Sequence, residues 1–252
     1  MYSNHRIYLL ELLQEKSDPK AKSWWEGYVK DSAPFLGVKM ADIRTIVHQW
    51  HKDHISGDLE PGKQVDLALL LFEGQYTEEK LAGTLFLQEI LLPMGAVKCS
   101  KDVQRFAGLF TNGFIYDWNI CDWFCMKVLG PLIIREGTSC ANRIFAWHEA
   151  ENLWQARASL VAFVPAAEKA EYYPLIEKGC QRVINRDERF AKTAVGWILR
   201  DISKHDQATV ERVVIENISH FSAESLKNAT KYFSNEEKKY FRNMLREARP
   251  NV

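Results

Sequence analysis

Residues Glu188 to Lys204 read ERFAKTAVGWILRDISK. Ala191, Ala194, Val195, Ile198, Leu199 and Ile202 recur at steps of three and four, which lines one side of a 3.6-residue helix with apolar atoms and leaves the other polar. The same period governs NHRIYLLELLQEK, DLALLLFEG, EEKLAGTLFLQEILL, DVQRFAGLF and LWQARASLVAF, and no stretch sustains the alternation of a half-buried strand. The chain is therefore expected to be all-α. Helices of ~10–18 residues joined by short turns, recurring near the ~40-residue interval of HEAT-type repeats, predict a curved α-solenoid of antiparallel helix pairs. No linker or low-complexity segment interrupts it, so residues 1–252 are expected to form a single domain, with 222–249 as a C-terminal pair of capping helices rich in both charges.

The expected breaks are chemically explicit. Ser17-Asp18-Pro19 supplies a capping side chain and a proline for the first helical position. Asn112-Gly113, Gly130-Pro131 and Asn185-Arg186-Asp187 are read as further interruptions. Gly196 stands in mid-helix, where glycine costs about 1 kcal/mol relative to alanine, and close approach of another backbone would explain it.

Composition narrows the function classes. Of 252 residues, 46% are apolar and 26% charged, as in ordinary globular proteins. The longest clean apolar run, Leu67 to Phe72, is far short of the ~18 residues that argue for a membrane span, so no membrane partner is expected. MYSNHRIYLLELLQEK carries Glu11 within its apolar stretch and reads as a helix, not a signal peptide, which points to a cytoplasmic protein. Cys99, Cys121, Cys125, Cys140 and Cys180 are scattered without a Cys-x-x-Cys pair, and are read as reduced, buried thiols, Cys121 included. His48, His51 and His54 in HQWHKDH do not share one helix face, so no metal is expected. There is no phosphate loop or dinucleotide fingerprint, and no cofactor is expected.

Thirty-three basic and thirty-three acidic residues cancel, which argues against a protein that coats nucleic acid indiscriminately. Locally the balance shifts. Between Lys178 and Lys204 seven basic residues (Lys178, Arg182, Arg186, Arg189, Lys192, Arg200, Lys204) face three acidic ones (Asp187, Glu188, Asp201). Lys178, Arg182 and Arg186 follow i, i+4, i+8 and would make a basic stripe if one helix carried all three; a solvated face is the plainer reading.

Three segments are more polar and aromatic than packing needs. In YDWNICDWF, Trp118 and Asp122 are four apart and share a helix face. In LWQARASLVAF, Arg157 flanks the stripe of Leu153, Ala156, Leu160 and Phe163, at its edge. In KTAVGWILRDISK, Trp197 follows the mid-helix glycine. Spacing alone also allows Asp122 and Arg157 to be a buried ion pair.

Four stretches in order, GYVKDSAPFLGVKMADIR (Gly27 to Arg44), YDWNICDWF, NLWQARASL (Asn152 to Leu160) and AKTAVGWILRDISK (Ala191 to Lys204), give the chain a resemblance to the HEAT-like-repeat DNA alkylation-repair glycosylases, the AlkD-type family. The resemblance implies a helical solenoid that holds duplex DNA and releases N-alkylated purines such as 3-methyladenine and 7-methylguanine. It places the catalytic carboxylate on Asp122 and cleft aromatics on Trp118, Trp197 and Tyr28. It places DNA contacts on Arg157, Arg44 and Arg200, and the basic residues Lys178, Arg182, Arg186, Arg189 and Lys192 are expected to hold phosphates. The implied partner is double-stranded DNA with alkylated bases, met by a monomer in the cytoplasm, on the nucleoid if the source is bacterial.

The chemistry is consistent with those roles. A purine alkylated at N3 or N7 is already cationic and leaves readily, so one ionised carboxylate suffices to stabilise the oxocarbenium-like sugar and orient water. Aromatic faces would attract the cationic nucleotide, and arginines would hold phosphate without reading sequence. Two other readings of the residues stay open: a helical-repeat protein that binds distorted or branched DNA without excision, and a protein-interaction solenoid.

Overall fold

The computed structural model describes residues 2–30 and 32–249; Asp31, within the first of the four quoted stretches, lies outside them. Among the described residues the regular elements are helices, with no strand, and the fold is of the α-solenoid class built from packed helix pairs. None of these helices is long and apolar enough to cross a membrane.

Backbone packing divides the chain into two compact units, Met1–Val128 and Leu129–Val252. In the first, the helices Tyr2–Glu15, Pro19–Tyr28, Met40–His54, Pro61–Leu71, Thr77–Leu85, Cys99–Thr111 and Trp118–Phe124 follow in order. Asp18 caps the second of them as expected, accepting hydrogen bonds from the Lys20 and Ala21 amides ahead of Pro19. Phe124 is fully buried and meets Phe72, Phe106 and Phe110 with ring centroids 5.4, 5.3 and 6.2 Å away. That anchor fixes the rotation of its helix: Trp118 and Asp122 lie six and two positions earlier, on the side away from Phe124.

The second unit contains Gly130–Glu136, Thr138–Phe145, Leu153–Val161, Tyr173–Ile184, Arg189–Ile202, Gln207–Glu216, Ala223–Ala229 and Asn235–Ala248. The stripe of Ala191, Ala194, Val195, Ile198, Leu199 and Ile202 is buried throughout. Gly196 has the expected explanation, since a Cβ there would sit 2.6 Å from the Ser225 carbonyl oxygen on the adjacent Ala223–Ala229 helix. That helix and Asn235–Ala248 start with reciprocal serine caps at Ser222 and Ser234.

Two sequence expectations need correction. Gly130-Pro131 does not interrupt helical structure, because a π-helix over Cys125–Leu129 leads directly into Gly130–Glu136. Proline cannot donate to the preceding turn, and the wider π geometry accommodates that loss. Nor do Lys178, Arg182 and Arg186 form one helical stripe, since the helix ends at Ile184 and Arg186 lies beyond its cap. The breaks at Asn112-Gly113 and Asn185 stand where the sequence puts them, Gly113 taking φ +73°.

Candidate functional site

In the first unit the site is built on a loop with an unusual anchor. Glu78 is buried, and its carboxylate accepts hydrogen bonds from the Leu36, Gly37 and Val38 amides at 2.9, 2.7 and 3.1 Å. Burial pushes its pKa up against the pull of these donors. Gly37 adopts φ +88°, and a Cβ there would fall 2.2 Å from the Asp18 carbonyl oxygen, so only glycine fits. The pinned loop carries Phe35, which with Val29 and Ala33 forms a small core against Trp25, Tyr116 and Trp118.

On this base stands an aromatic cluster. Tyr28 meets Trp118 edge-on at 5.6 Å and stacks on Trp24 at 5.2 Å with an interplanar angle of 6°. Trp24 and Tyr28 are 60% and 53% exposed, so a stacked π surface faces solvent. Trp25 packs beneath, stacked on Phe35 at 5.8 Å. The structure thus brings together Tyr28 and Trp118, and half-buried Asp122 follows one turn after Trp118 on the same helix.

The Trp118–Phe124 helix is held from its start. Asp117 is buried and caps it, accepting from the Asn119 and Ile120 amides at 2.7 and 3.2 Å. Burial raises the Asp117 pKa despite these bonds and the nearby Lys80 charge. Lys80 is also buried, donates to the Phe72 carbonyl at 2.5 Å and lies 5.5 Å from the Tyr116 ring. Desolvation brings its pKa down to about 8 against the attraction of Glu79 and Asp117.

Arg44 is engaged within the protein, donating to Glu89 at 2.8 Å while His48 approaches the other carboxylate oxygen at 2.8 Å. Partial burial opposes ionisation of Glu89, yet these two partners hold its pKa below the usual value. His51 bonds Gln64 and His54 packs edge-on against Tyr8, so the three histidines turn to three different neighbours.

In the second unit Arg157, at the edge of its helix's apolar stripe, is buried and donates to the Phe190 carbonyl and Thr193 hydroxyl at 2.8 and 3.2 Å. A guanidinium in mid-helix reaches that depth because the first turn of Arg189–Ile202 offers it oxygen acceptors. Arg157 and Arg200 bring their guanidiniums within 6.0 and 5.7 Å of the Trp197 ring, and Arg200 also pairs with Asp201 at 2.6 Å.

The remaining basic residues of the 178–204 region are largely matched by acceptors. Arg182 donates to Glu149, Arg186 to Glu188 and the Ala150 and Glu151 carbonyls, and Arg189 to both Glu224 oxygens. Lys192 donates to the Ile184 and His220 carbonyls, and Lys178 lies over the Phe145 ring at 5.9 Å. Half of the local excess of four read from sequence is therefore offset by Glu149 and Glu224, which lie outside that window.

Trp24, Glu78, Asp117 and Lys80 are site-forming residues that spacing did not single out. For Trp24 a signal exists, because it stands four residues before Tyr28. For Glu78 and Lys80 none does, since a Glu-Glu-Lys run ordinarily marks a solvated face.

A family model described as DNA alkylation repair enzyme matches residues 9–233. A solved structure described as a predicted DNA alkylation repair enzyme from Enterococcus faecalis superposes with a TM-score of 0.74 at 21% identity, over 87% of this chain and 98% of that one. That likeness speaks to the fold. Among curated proteins none matches.

Proposed function

Since the chain belongs to the DNA alkylation repair enzyme family, we propose that it is a DNA glycosylase that hydrolyses the N-glycosidic bond of cationic N3- or N7-alkylated purines in duplex DNA. The observation that carries this reading is the Trp118–Phe124 helix, which sets the half-buried Asp122 carboxylate one turn from an indole in contact with the exposed Tyr28 and Trp24 surface.

The alkylated purine leaves with the electrons of the C1′–N bond and becomes neutral, so no general acid is needed. Positive charge then develops on the deoxyribose. Asp122 stabilises it and orients the water that attacks C1′, whose proton passes to the carboxylate and on to solvent. Trp118 and Tyr28 offer π faces to the cationic nucleotide, each worth about 0.5–2 kcal/mol. Trp197, with Arg157 and Arg200 about its ring, is assigned to the DNA, as are Arg44 and the Lys178, Arg182, Arg186, Arg189 and Lys192 group. The protein acts as a cytoplasmic monomer and the reaction runs on carboxylate and water alone.

Under single-turnover conditions with a duplex containing 7-methylguanine or 3-methyladenine, wild type is expected to release the free base. Asp122→Asn should slow release by about 10²–10³-fold while duplex affinity changes little. A wild-type protein that releases neither base sinks the proposal.

A further inference from the structure

The C-terminal helix pair holds a feature the proposed chemistry does not use. Ala223–Ala229 and Asn235–Ala248 enclose an open groove of about 500 Å³, floored by Leu226, Thr230 and Leu245 and bordered by Lys227, Lys231, Lys238, Arg242 and Arg246. All five charged residues of its lining are basic. Lys231 lies over the Tyr232 ring, and among the described residues none of the five enters an ion pair. This contrasts with Arg182, Arg186 and Arg189, which are held by carboxylates.

The helix sorts its charges by face. Lys238, Arg242 and Arg246 are spaced i, i+4, i+8 within one helix. Glu236, Glu237 and Glu247 lie roughly 100° or more around the axis from the middle of that row. Glu237 is further occupied by the Ser234 amide at 2.8 Å. Three cations thus extend over about 12 Å of helix. One strand of duplex DNA carries a phosphate for about every 3.4 Å of its axis, so the row spans about three or four phosphates.

We infer that the groove between Ala223–Ala229 and Asn235–Ala248 is a second, sequence-independent contact for the phosphate backbone of duplex DNA, with Lys238, Arg242 and Arg246 as its principal cations. Five converging cations exceed what a single carboxylate or phosphomonoester would require, and a row spaced along an axis suits a polymer. Taking DNA as the source of the phosphates rests on the proposed function. The contact itself needs neither lesion nor chemistry.

The test uses the full chain and an undamaged duplex, with affinity measured against salt concentration. Each phosphate contact contributes about 0.9 to the slope of log affinity on log salt. The K238Q/R242Q/R246Q variant should therefore flatten the slope by about 2–3, and K227Q/K231Q by about 2, with both melting as wild type does. Both slopes unchanged, or no duplex binding by wild type, overturns the inference. So does loss of binding to phosphatidylserine vesicles with duplex binding unaltered. If wild type releases no base and yet the slope flattens, the glycosylase reading fails and the groove stands.

Discussion

Lys80 sits in a run, Glu78-Glu79-Lys80, in which all three charged residues are at most 3% exposed. Each has its own reason to be buried: Glu78 holds three loop amides, Glu79 accepts from Arg6 at 3.1 Å, and Lys80 donates to the Phe72 carbonyl. With its folded pKa lowered to about 8 from 10.5, Lys80 gives up its proton in the native state before it does so unfolded. Between those values the unfolded chain binds more protons, so stability rises with pH there. Lys80's contribution is complete above about 10.5 and lost as pH falls through about 8. Relative to Lys80→Met, wild type should gain up to about 1.4 kcal/mol per pH unit across that window, as measured by denaturant midpoints at several pH values. An identical pH dependence in the two proteins would refute this. A charge run gives no hint of such burial, because the partners of Glu78 and Glu79 lie about 40 and 73 positions away. Arg157 shows the same limit: its spacing located a face, but its depth depends on acceptors at Phe190 and Thr193.

At the scale of the element, the Trp118–Phe124 helix opens a helical run that continues through the π-helix Cys125–Leu129, and its start is held by its cap and by the buried Phe124. Removing the cap with Asp117→Ala should cost about 1–2 kcal/mol of stability and slow base release. Asp117→Asn keeps an acceptor oxygen for the Asn119 and Ile120 amides and should stay within about 0.5 kcal/mol of wild type by thermal melting. Equal losses in the two variants would mean that the carboxylate charge, not the cap, is what matters. Where the controlling chemistry is local, the sequence makes elements legible: Asp18-Pro19, Asn112-Gly113 and the buried stripe after Glu188 all follow from side chains within a turn or two. Gly130-Pro131 misleads because a π-helix absorbs the proline, and nothing in the dipeptide announces it. The Tyr28, Trp118 and Asp122 grouping was legible through family resemblance and spacing, whereas the Glu78-anchored loop beneath it depends on tertiary contacts.

Over the whole chain, a formal charge of zero conceals an uneven distribution, with Arg182, Arg186, Arg189 and Arg212 matched by carboxylates while every charged residue lining the C-terminal groove is basic. The five cysteines report on how this chain opens, because all are buried and are divided between the two compact units. Cys99, Cys121 and Cys125 belong to the first unit, Cys140 and Cys180 to the second. A thiolate is the reactive form, and burial pushes the Cys180 thiol well up, so reaction with a thiol reagent requires opening of the fold. If residues 1–252 unfold as the single domain proposed from sequence, all five thiols share one opening event and label at one rate in native buffer. Units that open separately would instead give two rates, three thiols in one group and two in the other. Mass spectrometry of partially labelled protein distinguishes these outcomes: the single domain predicts molecules carrying either no label or five, while a persistent population carrying two or three would show that the units unfold independently.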